Sequence, residues 1–206
     1  MHACPHPVIA CHVHVFDPLR FPYRDDAFYR PAGGEIATAA QLGQVLDAHG
    51  VAHALIVAPN SGYGLDNRCL LDAVATSAGR FKGVALVRND ASRDELQELQ
   101  DRGIDQPGFA ALLAMARNGR TAVKLSSLVK LSAQPFPHAD AWPFVHALVE
   151  AFTPDALVWA SDWPFLRAPA RVDYGPLRRL VDQLLTDEAA RRKVLWDTPR
   201  RLFGFD

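Results

Sequence analysis

Two histidines stand two positions apart in an otherwise apolar run, VIACHVHVFDP, where they are His12 and His14. In a β-strand the side chains alternate faces, so residues i and i+2 project the same way, roughly 6.5 Å apart. Two imidazoles on one face are donors that divalent metals take. Far along the chain, WASDWPF ends another apolar run on Asp162, a carboxylate able to accept a proton from water or to ligate a metal. Alone, a histidine pair in a strand is more often structural and an aspartate after a strand is often a turn cap. The chemistry requires that the fold bring all three together.

The elements that must position them alternate between strand and helix. The pattern predicts strands at 8–16, 53–59, 81–87, 121–126 and 156–162. Between them it predicts helices over 38–50, over 66–79 with Asp66 as cap, from a capping box at 92–95 to Gly103, over 105–119 and over 141–152. Residues 127–140 read as a loop, and so does the long polar and aromatic stretch after the first strand. The C-terminal part is helical: Tyr174, Leu177, Leu180, Val181 and Leu184 form one stripe, DEAARRKVL follows, and TPRRLFG has Thr198 as N-cap, Pro199 at the first helical position and Gly204 as terminator. Alternating β and α elements argue for a parallel sheet with its sites at the C-terminal ends of the strands. If such a sheet closes as a barrel, its last strand neighbours its first, and Asp162 arrives beside His12 and His14.

Composition narrows the partners. The chain has 206 residues with 49% hydrophobic side chains, enough for one domain spanning 1–206, and shows no short repeat or linker. Its formal charge of −1 gives no broad cationic field for nucleic acid, so the expected partners are a small-molecule substrate or other proteins. No segment reads as a signal peptide or membrane span, and Cys4, Cys11 and Cys69 lack CxxC spacing, which points to a reducing, cytoplasmic setting. Alternation turns Cys11 away from the histidines.

HVHVFDP, VKLSSLVKLS, WASDWPF and the terminal VLWDTPRRLFGF together resemble the amidohydrolase-2 (amidohydrolase-related) family, on the branch that includes 2-pyrone-4,6-dicarboxylate lactonase. The resemblance runs over nearly the whole chain. It implies an α/β fold of the (β/α)8 TIM-barrel type, in which this chain keeps about five of the eight βα units: three at the start and two, TAVKLS and ALVWASD, that resemble the seventh and eighth. Such a barrel usually takes about 250 residues, roughly 30 per unit, and the chain falls short by a comparable amount. The middle units are missing near residues 103–109, where two helices abut. Open sheet edges would then need cover by helices, by another subunit in a homo-oligomer, or by a distorted closure.

The same resemblance implies a hydrolase in which Asp162 is the general base for water attack on a small carboxylated ester, lactone or amide. His12 and His14, with Asp162, would hold a divalent metal, zinc or manganese, or in a metal-independent site the histidines would polarise the substrate. Tyr29, Asn60, Tyr63 and Lys130 are candidates for substrate binding; Lys130 stands where relatives often carry arginine, keeping the charge and losing the bidentate fork. His138 is a candidate replacement ligand. The alternative reading is a catalytically inactive shortened member that serves as a binding or assembly protein.

Overall fold

A computed structural model describes residues 6–86 and 112–205 of the chain. Five strands occur among these residues, four of them shorter than their apolar runs and β2 displaced two residues toward the N-terminus: β1 (Val8–Val13), β2 (Val51–Val57), β3 (Phe81–Val84), β4 (Val123–Leu125) and β5 (Leu157–Trp159). β1, β2 and β3 pair in parallel in that order, and β4 pairs in parallel with β5. The two sheets meet where β1 runs on into the loop after β5, through the parallel bridge Val13 to Trp163. There the His14 N–H donates to the Trp163 carbonyl at 2.8 Å and the Asp162 N–H to the His12 carbonyl at 3.0 Å. The first and last strands are thus neighbours, as barrel closure requires.

Helices cover the sheet as the alternation predicts. α1 (Ala39–Ala48) starts at a reciprocal cap between Thr38 and Gln41 and buries Leu42 and Leu46. α2 (Arg68–Ala75) begins at Asn67 rather than Asp66, although the Asp66 carboxylate still accepts the Arg68 N–H at 3.0 Å. The predicted helix at 92–103 lies outside the described residues, as does most of that at 105–119, whose end is helical from 112. Residues 127–140 are not all loop: a single turn, α3 (Leu128–Leu131), follows Ser127, whose φ is +60°. α4 (Trp142–Phe152) precedes β5, and the face of α5 (Tyr174–Leu184) that carries Tyr174, Leu177, Leu180 and Val181 is buried, with Leu184 at its margin.

The terminal segment differs from its sequence reading. Thr198 does not cap a new helix, because α6 (Glu188–Arg192), a π-helical turn (Lys193–Asp197) and α7 (Thr198–Phe203) run on continuously. The Thr198 hydroxyl instead donates to the Pro154 carbonyl at 2.9 Å, and Gly204 ends the run at φ +67°.

One core joins the elements, with Val8, Ala10 and Val13 from β1, Ile56 from β2, Trp159 from β5 and Val194 and Leu195 from the π turn. A smaller cluster holds Ile9, Cys11, Val158 and Phe205. The pairing of β1 with β2 is irregular between Ala10 and Val13, the interval that carries His12. Cys11 sits in that smaller cluster, and burial pushes its thiol up to about 12. Cys11 and Cys69 are both buried free thiols. No helix among the described residues is long and apolar enough to cross a membrane.

Candidate active site

His12 leaves the end of β1 and His14 follows one residue beyond it, while Asp162 sits three residues past β5, its backbone fixed by the His12 carbonyl. Asp162 is held at φ +61°, a left-handed conformation that aspartate tolerates better than most residues, and it turns the chain sharply at the strand end. The His12 and His14 Nε2 atoms are 3.1 Å apart, and Asp162 Oδ1 lies 3.6 Å from the first and 3.7 Å from the second. Residues 150 positions apart in sequence therefore share one site.

The three side chains are 20%, 13% and 14% exposed, which decides their electrostatics. Burial, the neighbouring His14 and the Lys124 ammonium push His12 down to about 3, so its ring is neutral at neutral pH. Burial alone would raise the Asp162 pKa. The hydrogen bond from Lys130 and the charge of its ammonium outweigh it and hold the carboxyl below the usual range, as carboxylate.

Second contacts orient each group. His14 Nδ1 donates to the Val57 carbonyl at 2.8 Å, which leaves its Nε2 lone pair facing the centre. Asp162 Oδ2 accepts from the Lys130 ammonium at 2.8 Å and from the Ser127 hydroxyl at 3.1 Å. Lys124, on β4, places its ammonium 2.5 Å from His12 Nδ1. Its stem is open to solvent while its ammonium is drawn in among these groups, and that partial withdrawal from water lowers its pKa.

The donors fit a divalent ion in kind and spacing. Ligands about 2.0–2.2 Å from a tetrahedral centre stand roughly 3.3–3.6 Å from one another. The 3.1, 3.6 and 3.7 Å separations among the two imidazole nitrogens and the carboxylate oxygen bracket that range. They form the one such group of three or more among the described residues, and His138 is not in it. Its ring is instead buried, with Nδ1 3.0 Å from the Gln134 carbonyl.

The other predicted residues divide. Lys130 reaches the centre, on Asp162. Tyr63 does not line a mouth: it is 2% exposed, stacks on Phe16, and its hydroxyl accepts the Asp17 N–H at 2.9 Å, so it braces the loop after β1 from the core. Tyr29 gives its hydroxyl to Glu35, whose other oxygen accepts the Arg167 N–H at 2.8 Å, so the tyrosine clasps the loops after β1 and β5 together. Asn60 is exposed in the turn after β2. The sequence reading missed Lys124 and Ser127. A lysine between Val123 and Leu125 in a predicted strand was the available signal for the first, and Ser127 had none beyond the motif around it.

Residues 94–205, more than half of the chain, match the family model described as Amidohydrolase. The chain belongs to the amidohydrolase family. This bears out the resemblance carried by the motifs, and by family the chain is a hydrolase. It is 26% identical over 269 residues to a 4-sulfomuconolactone hydrolase of Rhizobium radiobacter, covering 94% of this chain and 88% of that protein. Among solved structures, a Pseudomonas putida protein described as a candidate 2-pyrone-4,6-dicarboxylic acid hydrolase superposes with a TM-score of 0.79 at 24% identity, covering 100% of this chain and 99% of that one. A Burkholderia multivorans amidohydrolase solved with bound zinc gives 0.64 at 15%, covering 98% and 100%. At these identities the likeness establishes the fold, that of the amidohydrolase TIM barrels.

Proposed function

We propose that the chain hydrolyses a small carboxylated lactone, or a related ester or amide, at the centre formed by His12, His14 and Asp162. The observation that carries this reading is the convergence of two imidazole nitrogens and one carboxylate oxygen, all within 4.8 Å, at the C-terminal ends of adjacent parallel strands. Asp162 accepts a proton from water as the water oxygen adds to the carbonyl carbon, then returns it to the departing oxygen or nitrogen as the bond to carbon breaks. Ser127 and Lys130 hold Oδ2, which leaves Oδ1 to face the histidines and take the proton. Lewis-acid polarisation of the carbonyl is what a divalent ion, zinc or manganese, supplies when His12, His14 and Asp162 hold it. Lys130 already lies on a carboxylate, and a substrate carboxylate presents the same partner. The relative named a 4-sulfomuconolactone hydrolase supports an anionic lactone as the substrate class.

Hydrolysis of a panel of carboxylated and neutral lactones, esters and amides, followed by chromatography of the products, tests the reading. Turnover confined to the carboxylated members is expected; equal turnover of neutral ones would remove Lys130 from recognition.

A second reading has its own support. The match to the Rhizobium hydrolase runs over 269 positions although the chain has 206 residues, in keeping with a barrel that has lost middle units. Among the described residues β3 pairs only with β2, and β4 only with β5. A shortened member that binds or assembles without catalysis, with two copies covering each other's edges, would be soluble, metal-free and inert with the whole panel. Mass measurement in solution would show whether it self-associates.

A further inference from the structure

Four groups lie in one line from β4 to β2: the Lys124 ammonium, His12, His14 and the Val57 carbonyl, with separations of 2.5, 3.1 and 2.8 Å. Both ends of this line have a fixed sense. A backbone carbonyl only accepts, so His14 carries its proton on Nδ1 and offers a lone pair at Nε2. An ammonium only donates, so His12 accepts at Nδ1 and carries its own proton on Nε2. The proton on His12 Nε2 then meets the lone pair on His14 Nε2, and every member of the line is satisfied.

That arrangement opposes metal binding by the very atoms that are spaced for it. For His12 Nε2 to ligate an ion, its proton must sit on Nδ1, and there it would face the Lys124 ammonium, donor against donor. We propose that Lys124 gates the metal: while its ammonium lies on His12 Nδ1, the pair stays hydrogen-bonded to itself, and an ion enters only when Lys124 turns away. The stem of Lys124 is exposed on β4, which has a strand neighbour on one side only among the described residues, so the side chain has room to turn. The nearby charges are Lys130, engaged on Asp162, and Asp162 itself. This inference rests on the reading of His12, His14 and Asp162 as the site, and it concerns metal affinity rather than turnover.

Zinc titration of the whole chain after chelator treatment tests it, with Lys124→Met removing the donor and Lys124→Arg keeping one. Outer contacts to ligating histidines typically change metal affinity by about 10- to 100-fold. Lys124→Met should bind zinc tighter than wild type by about that factor, Lys124→Arg should bind like wild type, and adding His12→Ala to Lys124→Met should abolish the gain. Equal affinity in wild type and Lys124→Met, or a gain that survives His12→Ala, would overturn the gate. Nitrogen-detected NMR of the metal-free wild type needs no variant to fold: a proton on His12 Nε2 is expected, and a proton on Nδ1 would overturn the proposal. Lactone turnover, followed in parallel, separates the two questions. A gate that fails while Asp162-dependent hydrolysis persists leaves the proposed function standing, and zinc affinity that rises in an inert protein does the reverse.

Discussion

The site has two walls, and they are built differently. On the histidine side, β1 lies between β2 and the segment after β5, its backbone is bonded to both, and the residues under it, Val13, Phe16 and Ile56, are fully buried. On the lysine side, β4 is a three-residue strand paired only with β5 among the described residues, and Lys124 and Lys130 reach the centre along largely exposed stems. One wall fixes the position of its groups through packed core, and the other delivers charge on long side chains. Stability should therefore reside in the first wall, and adjustable recognition in the second.

The sharpest way to break that contrast is to cut into the core beneath the histidines. Ile56→Ala leaves a cavity where surrounding strands cannot collapse, and urea unfolding should show a loss of about 2–5 kcal/mol. A loss below about 1 kcal/mol would mean that β2 does not carry the wall. Lys130→Met should leave folding intact and raise KM for a carboxylated lactone by about tenfold, roughly 1.4 kcal/mol of binding; an unchanged KM would place substrate recognition elsewhere. Tyr63→Phe strips one hydroxyl from the Asp17 N–H and should cost about 1 kcal/mol in denaturant unfolding with turnover kept. A rise in KM there would restore Tyr63 to the substrate-binding set. Smallest of all, Lys124→Met should shift stability by less than about 0.5 kcal/mol, because the lost bond to His12 is offset by no longer drawing an ammonium partly out of water.

The same division governed how much could be read in advance. Strand alternation put His12 and His14 on one face, and the order of the βα units brought Asp162 to them, because both follow from periodicity and handed connectivity. Lys124 was not legible in this way: a period of two gives the face on which a side chain stands, but not which group across the barrel it meets. Tyr63 was misplaced for a related reason. Its position just past β2 suggested the mouth, whereas the bond to the Asp17 N–H and the stack on Phe16, both long-range, draw it into the core. α3 went unseen because a single turn of four residues leaves no helical period to detect, and Thr198 carried a cap's sequence in a helix that never stopped.

The claim on which everything else depends is that Asp162 is the base of a hydrolytic centre. Single-turnover hydrolysis of the best lactone by wild type and by Asp162→Asn, both shown to be folded, tests it most directly. The amide keeps the shape and the contacts to Ser127 and Lys130 but cannot take the proton, so the rate should fall by about 10²- to 10⁴-fold. Equal rates in the two proteins would contradict the account and place the chemistry outside the His12, His14 and Asp162 cluster.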